Sequence, residues 1–417
     1  MKILILRESY PNSIDDIRYA TDYEKWEKIK GYNTGNKLWI TGLVSSISTP
    51  DNEIHFITSD MTTDFINDYF DLIIAPEANI FSERFSDLLV SKAKWYQKLK
   101  IPIYVIACGA AALTYDDLDK LCVAIKDSSK QYIESVYSTG GEFALRGEFS
   151  KCMFDKLGYH SAVVTGCPSL YQMGRDFQVK TDKVDKNQFK PALNGNLNLC
   201  NKALHDYANS EYFDQSFFYD LFYRQYSGHA RGFINAYGTY SLELFKEKRI
   251  NLIIDMQDWM NYFLYHRFNF SAGSRIHGTV MPILCGIQSV ICPPDTRVRE
   301  MAEFFEIPTF SEQDLLNDSL YDIYLSVGYE KFNAKYKENF ARYEKFLIDH
   351  KIVKNINEES ILKAGTTFID KDRMAYIDRY KDKALSSDYF NKLLKSKSLW
   401  VLYEAGRNTA KKIKRKL

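Results

Sequence analysis

Short runs of Ile, Val and Leu alternate with helical patterns along the first 170 residues, and this alternation restricts the fold more than any other feature of the sequence. Such runs are typical of buried strands, and buried strands separated by helices are typical of a parallel sheet covered on both faces. We therefore predict a doubly wound α/β domain over residues 1–175. Strands are expected at residues 2–6, 54–57, 72–75, 103–107, 143–146 and 163–166, and helices at 39–47, 85–99 and 118–136.

A polar, lysine-rich segment without periodicity, residues 176–192, follows and predicts a linker. Beyond it the alternation resumes, which predicts a second Rossmann-like parallel-sheet domain over residues 193–350 and a cleft between the two domains. Residues 351–417 predict a helical and basic C-terminal extension. Strands are expected here at 194–200, 250–254 and 289–292, and helices at 211–223, 258–265, 279–284, 301–307, 312–327 and 329–350.

The stretch 270–300 contains two strand-to-helix turns that both carry cations. In the first turn, small residues at 271–274 precede Arg275 and His277, and a helical run starts at Thr279. Glycine in such a turn lets a ligand approach the backbone, and the N–H groups at the start of a helix favour an anion. Arginine adds donors that fit carboxylate or phosphate, and histidine exchanges protons near neutral pH. The turn therefore predicts a site for an anionic substrate.

A pair of prolines ends the strand before the second turn. Asp295 or Thr296 can cap the helix that follows, and Arg297 and Arg299 lie in its first turn. Cations at a helix N-terminus oppose its dipole, so their placement is better explained if they face an anion or a carboxylate. Ligands of open α/β sheets bind at the carboxyl ends of strands, so both turns predict one site. The small-residue turn at 108–112 lacks the dinucleotide fingerprint, so no such cofactor is expected there.

Three blocks of the sequence, spanning roughly residues 30 to 310, match one known family. The residues that carry the likeness are Gly273–Gly278, Gly286, Asp295–Arg297, Arg299, Glu300 and Ile307–Pro308 in the last block, Leu145–Ser150, Leu157–Gly158 and Val164–Ser169 in the middle block, and Gly35–Asn36 before an apolar run in the first. In these blocks the sequence closely resembles the polysaccharide pyruvyl transferase family. The first block is generic, whereas the other two are specific.

This resemblance implies a fold, an activity and roles for individual residues. It implies a glycosyltransferase-B-like pair of domains that transfers the pyruvyl group of phosphoenolpyruvate to two hydroxyls of a sugar, giving a pyruvyl ketal and phosphate. His277 is the expected acid, and His277 or Asp295 the expected base. Neither a metal nor an organic cofactor is expected. The residues expected to hold the phosphate and carboxylate of the donor are Arg146, Ser274, Arg275 and Arg297, and those expected at the acceptor or in the turns are Gly35, Asn36 and Gly273.

Two other functions fit parts of the pattern. A glycosyltransferase of the same general fold would hold the diphosphate of a nucleotide sugar with the same arginine and histidine, and it would need an acidic base in the N-terminal domain. A non-catalytic glycan-assembly protein would have lost Arg275 and His277 from the strand ends. Both residues are present, so this function ranks last. The segment 201–245, with His229 and Arg231, is a further candidate for donor or acceptor contacts.

Composition and charge restrict the partners and the location. The formal net charge of +1 argues against a general nucleic-acid binder. The seven cysteines are scattered without C-x-x-C spacing, which favours free thiols in a reducing cytosol. No apolar run approaches the roughly 20 residues of a membrane span. We therefore predict a cytoplasmic protein whose partners are phosphoenolpyruvate and a sugar, an oligosaccharide or a lipid-linked glycan.

The C-terminal tail is the segment that suggests a membrane. An amphipathic stretch at 389–403 precedes a run of cations with no acid after Glu404. Each cation close to anionic lipid contributes up to about 1 kcal/mol. The tail predicts either peripheral contact with the inner face of the plasma membrane or a solvated helix. The cations are Arg407, Lys411, Lys412, Lys414, Arg415 and Lys416.

Overall fold

The first domain is built on a parallel sheet. The computed structural model describes residues 1–6, 33–215, 240–253, 255–359, 362–365 and 369–386, and strands and helices are numbered within these ranges. The elements of the first domain are β1 (Lys2–Ile5), α1 (Gly35–Ile47), β2 (Glu53–Phe56), α2 (Thr63–Tyr69), β3 (Leu72–Pro76), α3 (Ser86–Tyr96), β4 (Ile103–Cys108), α4 (Leu118–Tyr137), β5 (Glu142–Leu145), α5 (Glu148–Lys156) and β6 (Val163–Val164). The strand order is β2-β1-β3-β4-β5-β6, and β3 and β4 are buried along their whole length.

The second domain repeats this plan with a different strand order. Its elements are β7 (Pro191–Asn194), α6 (Leu197–Asp206), β8 (Glu211–Phe213), α7 (Tyr240–Lys246), β9 (Ile250–Asn251), α8 (Met256–Tyr265), β10 (Phe270–Gly273), α9 (Ile276–Leu284), β11 (Gln288–Ile291) and α10 (Thr296–Phe305). The strands are parallel in the order β11-β10-β7-β8-β9. The two sheets confirm the predicted pair of α/β domains.

The remaining described α-helices follow the second sheet and pack on one domain or the other. They are α11 (Glu312–Asn317), α12 (Leu320–Ser326), α13 (Glu330–Asp349) and α14 (Lys371–Leu385). Helix α13 packs on the first domain, where the rings of Tyr343 and Tyr171 stack at 4.9 Å. Helix α14 packs on the second domain, where Arg373 Nε donates to Asp258 Oδ2 at 2.8 Å. The chain therefore passes back and forth between the domains after the second sheet is complete.

The strand predicted at 194–200 is wrong. Strand β7 starts earlier, at Pro191, and ends at Asn194. Gly195 then turns the chain with a φ of +85°, and α6 begins two residues later. The buried residues Cys200 and Leu204 recur at helical spacing, so the apolar pattern of this segment belongs to a helix.

Two helices predicted further along also differ from the structure. The range 211–223 begins with β8 instead, because Tyr212 and Phe213 pair in parallel with β7 and β9, and its residues from 216 onwards lie outside the described ranges. The range 312–327 is divided into α11 and α12, because Ser319 forms a capping box that starts a second helix.

Several predictions fall on residues outside the described ranges. They concern His229, Arg231, the amphipathic stretch 389–403 and the basic tail. The domain boundaries at 175, 192 and 350 remain predictions. Among the described residues, no helix is both long and apolar enough to cross a membrane.

The carboxyl ends of the two sheets face one cleft. In an open α/β sheet, ligands bind where the strand order reverses, which is between β1 and β3 in the first sheet and between β7 and β10 in the second. Residues that follow these strands line the same cavity, namely Asn79 after β3, Asn196 after β7 and Ser274 after β10. The fold thus brings both expected ligand positions together.

Candidate functional site

The cleft between the domains has a volume of about 650 Å³ and a strongly polar wall. Among the described residues that line it there is no carboxylate, so three guanidinium groups dominate its electrostatic potential. The polar side chains of the wall are Arg146, Arg275, Arg297, Asn33, Asn36, Asn79, Asn196, Gln215, Ser274 and His277.

Arg146 follows β5 and is buried, with 3% of its surface exposed. Its Nη1 donates to Asn79 Oδ1 at 3.2 Å. Its Nε and Nη2 are also buried, and neither has a hydrogen-bond partner among the described residues. Burying a charged group without such partners costs free energy, and an anion in the cleft would recover it. Arg146 is therefore the strongest single indication of an anionic ligand.

The turn between β10 and α9 is held by hydrogen bonds to the last residue of β7 and to the loop that follows it. Asn194 Oδ1 accepts a hydrogen bond from Arg275 N at 3.0 Å, and Ser274 Oγ accepts one from Asn196 N at 2.9 Å. A Cβ atom on Gly273 would lie 2.4 Å from the backbone oxygen of Asn194, so no larger residue fits there. Arg275 and the first N–H groups of α9 are thus fixed at the cleft.

His277 is the second residue of α9 and only 6% of its surface is exposed. Burial, with a smaller contribution from Arg146, lowers the pKa of His277 to about 3. The imidazole is therefore neutral near pH 7 when no anion is bound. A bound dianion would offset Arg146 and raise this pKa. Helix α1 approaches closely because Gly35 lacks a side chain: a Cβ there would be 2.7 Å from His277 Cβ.

Cys167 lies beside this histidine. Its Sγ is 4.0 Å from His277 Nε2, and Ser169 Oγ donates to the same sulfur at 3.2 Å. Cys167 is fully buried and belongs to the first domain, whereas His277 belongs to the second. Local sequence patterns could not predict this contact, because 110 residues separate the two side chains.

Asp295 has a structural role at the start of α10. Its side chain caps the helix by accepting from Arg297 N at 3.1 Å and Val298 N at 3.3 Å, and it pairs with the guanidinium of Arg297. It therefore orients Arg297, which lines the cleft. Arg299 lies outside the cleft, over the ring of Tyr115, and it faces the carboxylate of Glu303, which is one of the two alternatives expected for it.

A family model for polysaccharide pyruvyl transferase matches residues 3–296. The chain belongs to the polysaccharide pyruvyl transferase family. The match covers both sheets and ends at the first residue of α10. No match to a curated protein is found.

Three solved structures illustrate what this pyruvyl transferase family member is similar to. The S. aureus MnaA–UDP co-structure is 11% identical, with 87% of this chain and 100% of that chain covered and a TM-score of 0.41. The Methanocaldococcus jannaschii UDP-GlcNAc 2-epimerase in complex with UDP-GlcNAc and UDP is 10% identical, with 83% and 100% covered and a TM-score of 0.41. MurG of Acinetobacter baumannii is 8% identical, with 84% and 98% covered and a TM-score of 0.33.

The structure places the residues that the sequence suggested for this family member in two groups. Six of them line the cleft, whereas Gly35, Gly273 and Asp295 lie next to the lining and contact residues that position it. Sequence reasoning missed Asn79 and Gln215, which also line the cleft. Gln215 follows a strand that was predicted as a helix, so the sequence did not indicate that it lies at the carboxyl end of a strand. The six are Asn36, Arg146, Ser274, Arg275, His277 and Arg297.

The described residues contain no group of three or more His, Cys, Asp and Glu side chains placed to hold a metal ion. The polar groups of the cleft are guanidinium, amide, imidazole and hydroxyl groups. These groups are suited to binding an oxyanion and sugar hydroxyls directly.

Proposed function

We propose that this transferase moves the pyruvyl group of phosphoenolpyruvate onto two hydroxyls of a sugar in a cell-surface polysaccharide, an exopolysaccharide or a lipid-linked precursor. The observation that carries the proposal is the buried Arg146 guanidinium, whose Nε and Nη2 have no partner among the described residues. It shares a cleft with Arg275 and Arg297, and phosphoenolpyruvate carries both a phosphate and a carboxylate for them to hold. Family membership supports the pyruvyl transfer.

The neutral imidazole of His277 suits a single proton relay. In the first step, His277 accepts the proton of one sugar hydroxyl and delivers it to the methylene carbon of the donor, while that hydroxyl oxygen bonds to the central carbon. The three arginines balance the negative charge of the phosphate as its bond to this carbon breaks. The second hydroxyl then attacks the same carbon, and its proton leaves with the phosphate. One donor and one diol thus give one ketal and one phosphate.

The proposed steps use no metal or organic cofactor. Because the acceptor is a sugar, the side-chain amides of the cleft are the groups that we assign to its hydroxyls. We also propose that the protein works in the cytoplasm, either free or at the inner face of the plasma membrane. The basic tail supports the second alternative through its charge.

Thermal-shift and calorimetric titrations with phosphoenolpyruvate, beside a panel of nucleotide sugars, test the proposal. Saturation at 100 times the dissociation constant should stabilise the protein by about 2.7 kcal/mol. The stabilisation should disappear in Arg275→Ala and persist in Arg342→Ala, because Arg342 pairs with Glu338 outside the cleft. Stabilisation by a nucleotide sugar alone would assign the protein to the glycosyltransferases instead. No stabilisation by phosphoenolpyruvate or by any nucleotide sugar would favour a non-catalytic glycan-assembly role.

A further inference from the structure

Helix α10 presents three polar side chains to the first domain. Thr296, Glu300 and Glu303 are four and three residues apart, so they lie on one face of the helix. Each of them contacts the first domain, and we call the three together the α10 stripe. Only its first residue lies within the range matched by the family model.

The two ends of the α10 stripe fix the helix against one loop. Thr296 Oγ1 accepts from Ala112 N at 3.0 Å and donates to Ala112 O at 3.1 Å, and Thr296 is almost completely buried. At the other end, Tyr115 Oη donates to Glu303 Oε2 at 2.6 Å in an exposed position. The buried contact is expected to be the stronger of the two, because solvent weakens the exposed one.

The centre of the α10 stripe completes a helix of the other domain. Glu300 is 1% exposed, and Ser150 donates to its carboxylate through both its N–H and its Oγ, at 2.9 Å each. Ser150 is the third residue of α5, whose N-cap is Gly147 and therefore has no side chain to offer. An N-cap side chain normally accepts from the second or third N–H of its helix. Glu300 supplies that acceptor from the second domain.

This contact is adjacent to Arg146. A Cβ atom on Gly147 would lie 2.7 Å from Glu300 Cβ, so the glycine is what lets α10 approach. A Cβ atom on Gly109 would meet Glu300 Oε1 at 3.2 Å and Arg146 Cδ at 3.3 Å, so the carboxylate and the arginine share one neighbour. The carboxylate is held by Ser150 and leaves Arg146 Nε and Nη2 without a partner among the described residues. Arg146 thus remains available to a ligand.

Burial also raises the pKa of the Glu300 carboxyl to about 8, so a large fraction of it is protonated near neutral pH. A protonated carboxyl provides little counter-charge to the arginine. It can still accept the two hydrogen bonds from Ser150. The hydrogen bonds of Glu300 thus go to Ser150, while these bonds and the nearby Arg146 guanidinium lower its pKa against the larger effect of burial.

We propose that Glu300 is a positioning residue that caps α5 from the opposite domain and thereby holds Arg146 in the cleft when the two domains are closed. Its contribution to donor binding rests on the proposed function, whereas the cap itself does not. The α10 stripe then makes the first-domain half of the site depend on contact with the second domain.

Hydrogen exchange of residues 147–156, followed by mass spectrometry, tests the cap. Loss of an N-cap costs about 0.5–2 kcal/mol, which corresponds to exchange about two- to thirtyfold faster in Glu300→Ala. Glu300→Gln keeps one acceptor oxygen and should lie between Glu300→Ala and the wild type. Ser150→Ala removes the Oγ contact with Glu300 and also the buried acceptor of Ala110 N, so it should still speed exchange when it is added to Glu300→Ala. Glu338→Gln, which alters an exposed carboxylate of α13, is the matched control and should leave this exchange unchanged.

Calorimetric titration of the same variants with phosphoenolpyruvate tests the positioning role. The dissociation constant should rise about two- to thirtyfold in Glu300→Ala and recover in part in Glu300→Gln. Unchanged exchange at 147–156 in a folded Glu300→Ala would overturn the cap. If that variant does not fold, exchange in Glu300→Gln that equals the wild type would overturn it. Faster exchange with unchanged donor affinity would overturn the positioning role. A wild type that does not bind phosphoenolpyruvate would overturn the proposed function, and the exchange experiment would still decide the cap.

Discussion

The two walls of the cleft are constructed in different ways. In the second domain, Arg275 sits on a turn fixed within its own domain by Asn194 and by the absence of a side chain at Gly273. In the first domain, Arg146 is held by one hydrogen bond to Asn79, and the helix that follows it is capped by the other domain. The turn that carries Arg275 is therefore held within its own domain, whereas the helix after Arg146 is capped only when the domains are in contact.

The largest expected effect concerns His277, where the two walls meet. Replacing it by glutamine should lower turnover at least 100-fold, because general acid–base catalysis contributes roughly that much or more. The overall fold should persist, since the substitute is similar in size and polar. Steady-state rates and thermal unfolding measure the two properties. His160→Gln is the control, because that histidine is exposed and paired with Asp155. Full activity in His277→Gln would remove this residue from the mechanism.

Replacing Arg146 or Arg275 by methionine should change the free energy of unfolding by different amounts in the two domains. Arg146→Met removes a buried charge with unfilled donors, so the unliganded protein should gain about 1 kcal/mol or more. Arg275 is only partly buried, so Arg275→Met should change stability little. Both variants should lose stabilisation by phosphoenolpyruvate. Urea unfolding with and without the ligand provides the measurement. A marked loss of stability in unliganded Arg146→Met would show that a charge partner had been removed.

Two glycine substitutions should damage the walls differently. Gly273→Ala forces a collision with backbone inside the second domain and should cost about 1–3 kcal/mol of unfolding free energy. Gly147→Ala collides with Glu300 across the interface, so the domains can relieve it by moving apart. It should therefore cost less stability and more donor affinity. Gly328→Ala, which meets only the end of the Glu330 side chain, is the control. Equal effects of the two substitutions on both properties would remove the distinction between the walls.

The smallest expected effect near neutral pH is a pH dependence of stability from His277, which amounts to less than about 1 kcal/mol between pH 7 and pH 6. Its pKa falls from an ordinary value of 6.5 to about 3 on folding, so the unfolded chain binds the proton more tightly. The free energy of unfolding should therefore decrease as the pH falls from 6.5 towards 3, by up to about 1.4 kcal/mol per pH unit from this group. Comparison of wild type and His277→Gln by urea unfolding isolates the contribution. An identical slope in both would indicate that the imidazole is not buried in its neutral form.

The sequence predicts the second wall much better than the first, for a physical reason. The turn around Arg275 is encoded by neighbouring small residues, and its strand and helix follow in order. The partners of the first wall, Asn79 and Glu300, lie 67 and 154 positions from Arg146 along the chain. The contact of Cys167 with His277 is equally long-range. Local patterns contain no information about such distances.

Local patterns also gave wrong predictions for short segments whose residues suit both a helix and a strand. The apolar residues after Asn194 were interpreted as a strand, although the turn at Gly195 starts a helix. Tyr212 and Phe213 are aromatic residues that suit strands, and pairing with both neighbours decides their conformation. The alternation of strands and helices was sufficient for the fold, because it depends on many segments at once.

Because α13 packs on the first domain and α14 on the second, the chain crosses between the domains several times, and this restricts how the cleft can open. The chain crosses between the domains once before β7, again on the way to α13, and a third time before α14. A pair of bodies joined by one tether can swing in any direction, but each additional tether removes some of that freedom. Opening is therefore expected to be a small hinge rotation about the crossings. Such a rotation would return Arg146 and Arg275 to the same relative positions after each turnover.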